Sequence, residues 1–285
     1  DVRGGSPGTR DTDALNPVCN REVVHGVVLT GGSAFGLDAA GGVMKKLEEE
    51  GIGRDVMVTV VPNVCAAVLF DLARPDVAMG YAACEAALQG NPIQEGNVGA
   101  GTGCTIGKIR GPQYAMKGGL GTCAYRQGDL MVGAVMACNA MGDVVEDGTI
   151  LAGARNDDNT GFAGTEEWLI QHSQRQRDIF SGKLVGENTV IGCVVTNAAL
   201  NKAQAAKLAA VAQNGIARAV RPANATFDGD SLFAMCHGTV PADPDAVGIL
   251  AARAVEEAIR RGIRAAETLH GRPAWRDLPF VSQST

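Results

Sequence analysis

The strongest constraint in this sequence is a junction. From Ala154 to Glu187 the chain is largely polar, with Arg155-Asn-Asp-Asp-Asn-Thr160 and then a nearly unbroken polar run from Gln171 to Asp178. Just beyond it comes Thr189-Val-Ile-Gly-Cys-Val-Val-Thr196, the pattern of a strand buried on both faces. Long solvated loops are uncommon inside a compact domain, and this one runs straight into a core strand. The arrangement makes sense if the backbone is cut at the junction. The stretch 154–187 is therefore read as an exposed, mobile connector with a short helix around Trp168, and as the one internal boundary of the chain.

Either side of the connector, strands and helices alternate. Val23 to Leu29 reads as a strand running into Thr30-Gly31-Gly32-Ser33 and a helix from about Ala34 to Glu50, with Gly51 as its stop. Val56 to Val61 is a second strand, and an Ala-rich helix follows around 78–88. Leu130 to Asn139 and Val144 to Leu151 are expected to pair as a hairpin through Ala140-Met-Gly-Asp143. Asn201 caps a helix ending near Asn214-Gly215, and Asp243-Pro244 opens another to about Glu267.

Of the 285 residues, 46% are hydrophobic but only 4% aromatic, and 38 are glycine. Such a core is made of closely approaching aliphatic layers, which favours an α/β architecture. A net charge of −6 with no basic patch argues against a nucleic-acid partner. No apolar run is long enough to span a membrane and no secretory signal is seen, so a cytoplasmic protein without membrane association is expected. The eight cysteines are scattered without a C-x-x-C pair, and none stands at ligand spacing from one of the four histidines. They are read as buried small hydrophobes, with no metal site and no cofactor.

Two familiar motifs fail on spacing. Gly101-Thr-Gly-Cys-Thr-Ile-Gly107-Lys108 has one residue too many for a phosphate loop, and Ile109 replaces the Mg²⁺-binding hydroxyl. Gly31-Gly32-Ser33-Ala34-Phe35 lacks the second glycine of a nucleophile elbow. Its remaining use is as backbone N–H groups at a helix start, able to hold a substrate carbonyl or anion, or simply as a tight strand–helix turn.

Several segments together resemble one family: Leu29-Thr-Gly-Gly-Ser-Ala-Phe-Gly-Leu-Asp-Ala-Ala40, Gly96-Asn-Val-Gly-Ala-Gly-Thr-Gly103, Met116-Lys-Gly-Gly-Leu-Gly121, Val132 to Gly142, and Glu187-Asn-Thr-Val-Ile-Gly-Cys-Val-Val-Thr-Asn-Ala-Ala-Leu200. They are similar to the L-aminopeptidase/D-esterase family of N-terminal-nucleophile hydrolases, over about Gly26 to Gly271. Asn188-Thr189 and Asp228-Gly229-Asp230 look most like the nylon-oligomer (6-aminohexanoate-oligomer) endohydrolase branch. The aminopeptidase branch typically has Gly-Ser and Ser-Gly-Glu there.

The resemblance implies a four-layer αββα sandwich, self-cleaved between Asn188 and Thr189 into a large piece 1–188 and a small piece 189–285 of a single domain, assembling as a homotetramer. The chemistry can also be argued from the residue itself. A threonine hydroxyl is a poor nucleophile without a base. Scission would give Thr189 a free α-amine, with a pKa of about 7.7–8.0, able to take the proton from its own hydroxyl. The resemblance assigns Asn139 as an oxyanion donor, where an ordinary turn asparagine is the plain alternative, and puts a lysine in the site, Lys117 or alternatively Lys108. Asp228 and Asp230 flank a glycine and, in an extended stretch, face one side. They would orient the Thr189 amine or bind a substrate amine, if they are not merely a solvated turn. Phe70 stands where such enzymes often have a substrate-touching tyrosine. The expected activity is hydrolysis of linear amides such as 6-aminohexanoate oligomers through an acyl-Thr189 intermediate. The alternatives are an aminopeptidase on small or β-amino-acid peptides, an acyltransferase of ornithine acetyltransferase type, and an uncut binding protein.

Overall fold

The computed structural model describes residues 1–174 and 188–280. Its centre is a four-stranded sheet built from β3 (Gly119–Gln127), β4 (Leu130–Asn139), β7 (Thr189–Ala198) and β8 (Ser231–Val240), following β1 (Gly26–Thr30) and β2 (Val64–Val68) in the chain. The spatial order is β8-β7-β4-β3, with β7 parallel to β8 and antiparallel to β4. The second sheet pairs β1 in parallel with β2, and Thr9–Arg10 closes its other edge.

Period-two alternation sorts the side chains into layers. Val132, Ala134, Met136, Val190 and Val194 pack on Leu208, Ala212, Ile216, Val255 and Ile259 of two long helices. Ala137, Ile191, Cys193 and Phe233 face the other way, against Cys65, Ala67 and Leu69 of the second sheet. Val64 and Ala66 then point outward onto Ala40, Val43 and Leu47 of α1 (Ala39–Glu49), which packs with α2 (Val77–Leu88). The result is the expected αββα sandwich.

The long helices are specified locally. Asn201 and Gln204 form a reciprocal capping box at the start of α3 (Lys202–Ala219). Asp243 caps α4 (Pro244–Ala265), whose proline occupies the first turn. Val247, Ala251, Ala254, Val255, Ala258 and Ile259 form its buried stripe, each valine or isoleucine contributing roughly 1.5–3 kcal/mol of burial. Glycine lets this helix lie directly on the sheet, since a Cβ at Gly121 would stand 2.0 Å from the Ala258 carbonyl and 2.3 Å from the Gly262 nitrogen.

Several sequence expectations are corrected. The run Val56–Val61 is not a core strand: Met57 and Val58 are 98% and 90% exposed at a hairpin tip, and Val64–Val68 is the buried strand instead. The turn after β1 is 3-10 from Ser33 to Asp38, and the α-helix begins only at Ala39. Leu130–Asn139 and Val144–Leu151 do not pair. The second run folds on itself, as β5 (Asp143–Glu146) and β6 (Thr149–Ala152), around Asp147-Gly148, both at positive φ, the signature of a two-residue primed turn. Gly215 does not stop α3 but sits inside it, where a Cβ would meet the Ala252 carbonyl at 2.3 Å.

The start of the connector is anchored rather than exposed. The buried Asp143 carboxylate accepts the Ala154 N–H, the Thr165 N–H and the Thr165 hydroxyl. The short helix expected around Trp168 is present at Thr165–Gln171. The rest of the connector, 175–187, lies outside the described residues, as does the mobility expected of it. Among the described residues no helix is long and apolar enough to cross a membrane.

Candidate active site

Thr189 opens β7 and Asn139 ends β4, and the antiparallel register sets them opposite each other. Both have the parity of Ile191 and Ala137, so their side chains belong to the layer between the two sheets. Both are buried. The Thr189 hydroxyl lies 2.5 Å from the Asn188 carbonyl oxygen. That oxygen also accepts the Gly229 N–H at 2.8 Å.

The Asn139 side chain is oriented by its surroundings. Its Oδ1 accepts the Thr105 N–H at 2.9 Å, the Thr105 hydroxyl at 3.3 Å and the Lys108 ammonium at 2.9 Å. With those donors on the oxygen, Nδ2 is turned to the Phe70 carbonyl, 3.0 Å away. An amide nitrogen has two hydrogens, and this bond uses one of them.

Of the two lysines, Lys108 is the one that reaches Asn139. Lys108 Nζ reaches both the backbone and the side-chain oxygen of Asn139, each at 2.9 Å. Lys117, the first choice from the sequence, is buried and donates instead to the carbonyls of Gly101, Cys104 and Gly118 at 2.8–2.9 Å. Its position in the pair Met116–Lys117, bridged to Thr105–Ile106, aims it into the glycine-rich loop, where it acts as a clamp. Burial pushes the Lys108 ammonium down to about 8, against the opposing pull of Cys104 and Asp228. Burial likewise lowers Lys117.

Asp228 and Asp230 are both buried rather than in a solvated turn. Asp230 accepts the Val190 N–H at 2.7 Å and the Asn224 N–H at 2.9 Å, tying the residue after Thr189 to the following loop. Asp228 accepts the Ala225 N–H at 2.7 Å. Burial raises both carboxyls above the usual range. The negative charge of Asp228 raises Asp230 further, while the backbone donors, and for Asp228 the Lys108 ammonium, pull the other way. Gly229 between them touches Thr189: a Cβ there would stand 2.8 Å from the Thr189 hydroxyl oxygen and 2.9 Å from the Ser6 carbonyl.

The Gly31-Gly32-Ser33 turn is not an open cradle. The Gly32 N–H is taken by the Asp71 carboxylate at 2.7 Å, and the Ser33 N–H by the Leu69 carbonyl at 2.9 Å. Asp71 also fills the space beside Gly31 and Gly103, so the turn is a structural joint. Phe70 is half-buried and contributes its backbone carbonyl to Asn139; its ring has no hydroxyl to replace a tyrosine. Sequence reasoning missed Thr105, Gly229 and Asp71. Asp71 alone had a signal, an acidic residue directly after a buried apolar run and near glycine-rich turns.

The model of the peptidase family S58 matches residues 1–275. The chain belongs to peptidase family S58. It is 36% identical to an uncharacterized aminopeptidase of Mycobacterium leprae (strain TN), over 96% of this chain and 81% of that protein. It is 28% identical to a 6-aminohexanoate-oligomer endohydrolase of Paenarthrobacter ureafaciens, over 82% of this chain and 64% of that protein. Among solved structures it is similar to a Burkholderia sp. beta-aminopeptidase, with TM-score 0.65 at 19% identity, covering 99% of this chain and 79% of that one. It is also similar to the L-aminopeptidase D-Ala-esterase/amidase of Ochrobactrum anthropi, a variant of the N-terminal-nucleophile hydrolase fold, with TM-score 0.52 at 22% identity over 83% of this chain and 66% of that one. This S58 chain therefore has the N-terminal-nucleophile hydrolase fold and is a hydrolase of peptidase/amidase type. Among its described residues no cluster of His, Cys, Asp or Glu is arranged to hold a metal ion.

Proposed function

We propose that this S58 hydrolase cuts itself between Asn188 and Thr189 and then hydrolyses linear amides through an acyl-Thr189 intermediate. The observation behind the reading is the buried contact of the Thr189 hydroxyl with the carbonyl of the bond to be cut. In the first reaction Thr189 Oγ1 bonds to the Asn188 carbonyl carbon and its proton passes to the departing amide nitrogen. Water then hydrolyses the resulting ester, leaving a carboxyl on Asn188 and a free α-amine on Thr189.

In turnover that amine receives the hydroxyl proton while Oγ1 attacks a substrate amide. The spare Asn139 N–H meets the oxyanion that forms, and Lys108 steadies the Asn139 amide from behind. Proton return to the leaving amine, followed by water attack on the Thr189 ester, completes the cycle. Asp230 holds the backbone at Val190, and with it the start of the strand that presents the nucleophile.

For substrate we propose 6-aminohexanoate oligomers and comparable linear amides, on the Asn188-Thr189 and Asp228-Gly229-Asp230 motifs. The higher identity to mycobacterial aminopeptidases supports a second reading, removal of single residues from short peptides. Incubating the purified chain and sequencing the N-termini tests the first half: a new end Thr-Val-Ile-Gly is expected, and its absence from active material overturns the mechanism. Comparing 6-aminohexanoate oligomers with β-alanyl and D-alanyl amides decides between the substrates.

A further inference from the structure

The carbonyl that must become an oxyanion during self-cleavage belongs to Asn188. Asn139 Nδ2 donates to Phe70, and beside the Thr189 hydroxyl itself the structure places the Gly229 backbone N–H on the Asn188 oxygen, at 2.8 Å. Gly229 is fixed there from both sides. Asn188 and Asp228 form a parallel bridge, and the Asn188 N–H reaches the Phe227 carbonyl. On the outside, the arm Arg3–Ser6 lies along the same loop: Arg3 and Gly4 N–H point to the Asp230 carbonyl, and the Ser6 N–H donates to the Asp228 carbonyl at 2.9 Å. Gly229 thus lies between the Ser6 carbonyl and the Thr189 hydroxyl, with no room for a side chain.

We infer that the backbone N–H of Gly229 is the oxyanion donor for self-cleavage, a role separate from that of Asn139 in turnover. This rests on the proposed scission at Asn188–Thr189. As Oγ1 adds to the Asn188 carbon, the π pair moves onto the oxygen already held by this N–H. When the C–N bond breaks, the carbonyl re-forms and the hydroxyl proton has gone to the Thr189 nitrogen. A rigid donor aimed where charge develops acts without reorganisation, and losing one such donor typically slows acyl transfer about 10²–10³-fold. The geometry also accounts for a glycine between the two aspartates, because any Cβ would push into the attacking hydroxyl.

The test replaces Gly229 in the full chain with glycolic acid by nonsense suppression, which exchanges only this N–H for an ester oxygen. As a control, Ser6 is replaced by its α-hydroxy analogue, removing one hydrogen bond that holds the same loop from outside. Scission is followed by mass spectrometry, with circular dichroism recorded on the uncut chains. The expected result is scission slowed about 100-fold or more at Gly229, less than about threefold at Ser6, and native spectra for both. Unslowed scission of the Gly229 variant overturns the inference. So does equal slowing by both variants, or loss of the native spectrum at Gly229, since either makes the N–H a structural bond. If the unmodified chain never splits, the proposed function falls first; if it splits and the Gly229 variant keeps pace, only this inference falls.

Discussion

Thr189 and Asn139 face each other across one antiparallel pair, fifty residues apart in the chain, on the side of the sheet that faces the second sheet. β4 and β7 meet with Thr189 and Asn139 as the first register pair, so the strand that starts with Thr189 starts where the strand ending in Asn139 stops. Slipping β7 by one residue against β4 would turn every β7 side chain to the opposite face, sending Thr189 into the helix-facing core and away from Asn139. The apolar alternation along both strands therefore also holds the site.

Thr189→Ala removes the oxygen proposed to attack. The variant is expected to remain one species of 29.3 kDa through long incubation and to show no amidase activity. Intact-mass analysis beside an amide assay checks both, and a variant that still splits at this bond would show that another group attacks. Thr189→Ser is expected to process and turn over.

Lys108 and Lys117 are expected to fail differently. Lys108→Met leaves Asn139 without its ammonium partner, and kcat should fall about 100-fold with the melting temperature little changed, in line with the loss of oxyanion stabilisation. Lys117→Met strips a charged donor from three buried carbonyls and should cost about 3 kcal/mol of stability. Urea unfolding and steady-state kinetics on both variants decide it; activity loss at Lys117 with full stability would reverse the assignment.

The depressed Lys108 pKa makes stability depend on alkaline pH. Below about 8 the ammonium is charged in both folded and unfolded chains, and its burial counts against folding. Between about 8 and the ordinary lysine value of 10.5 the folded chain loses this proton while the unfolded chain keeps it. Stability from this group therefore rises with pH across that window, by at most ~3 kcal/mol. Urea midpoints of the uncut Thr189→Ala chain from pH 7 to 10 measure the rise, and adding Lys108→Met should reduce it, leaving the smaller share that comes from the likewise lowered Lys117.

Gly215→Ala reverses the usual rule for a helix interior. Alanine ordinarily stabilises a helix by about 1 kcal/mol over glycine. Here its Cβ would stand 2.3 Å from the Ala252 carbonyl and 2.7 Å from the Val255 Cβ, driving α3 and α4 apart. A net loss of about 1–3 kcal/mol is expected from the overpacking. A thermal melt of the variant reads the sign directly.

The same helix pair shows why parts of the fold could not be read from sequence. Asn201, Gln204, Asp243 and Pro244 mark helix starts by local hydrogen bonding, and the structure places them there. Gly215 has the local look of a stop, yet its function is to let a neighbouring helix approach. Val56–Val61 has β propensity but reaches no partner layer, whereas Val64-Cys-Ala-Ala-Val68 looks weaker and lies at the centre of a sheet. Propensity is a local quantity, and the partner layer overrides it.

The sequence alone determined the family, the buried strand that begins at Thr189, and the residue types at the site: a hydroxyl next to the Asn188–Thr189 bond, an amide and paired carboxylates. These are covalent or local properties, readable in order along the chain. Tertiary structure decided which lysine reaches Asn139, that Asp71 already fills the Gly31–Ser33 turn, and that the Gly229 N–H lies on the Asn188 oxygen. Each of these is a contact between segments distant in the chain. Such contacts are set by sheet register and layer packing, which no single stretch of sequence encodes.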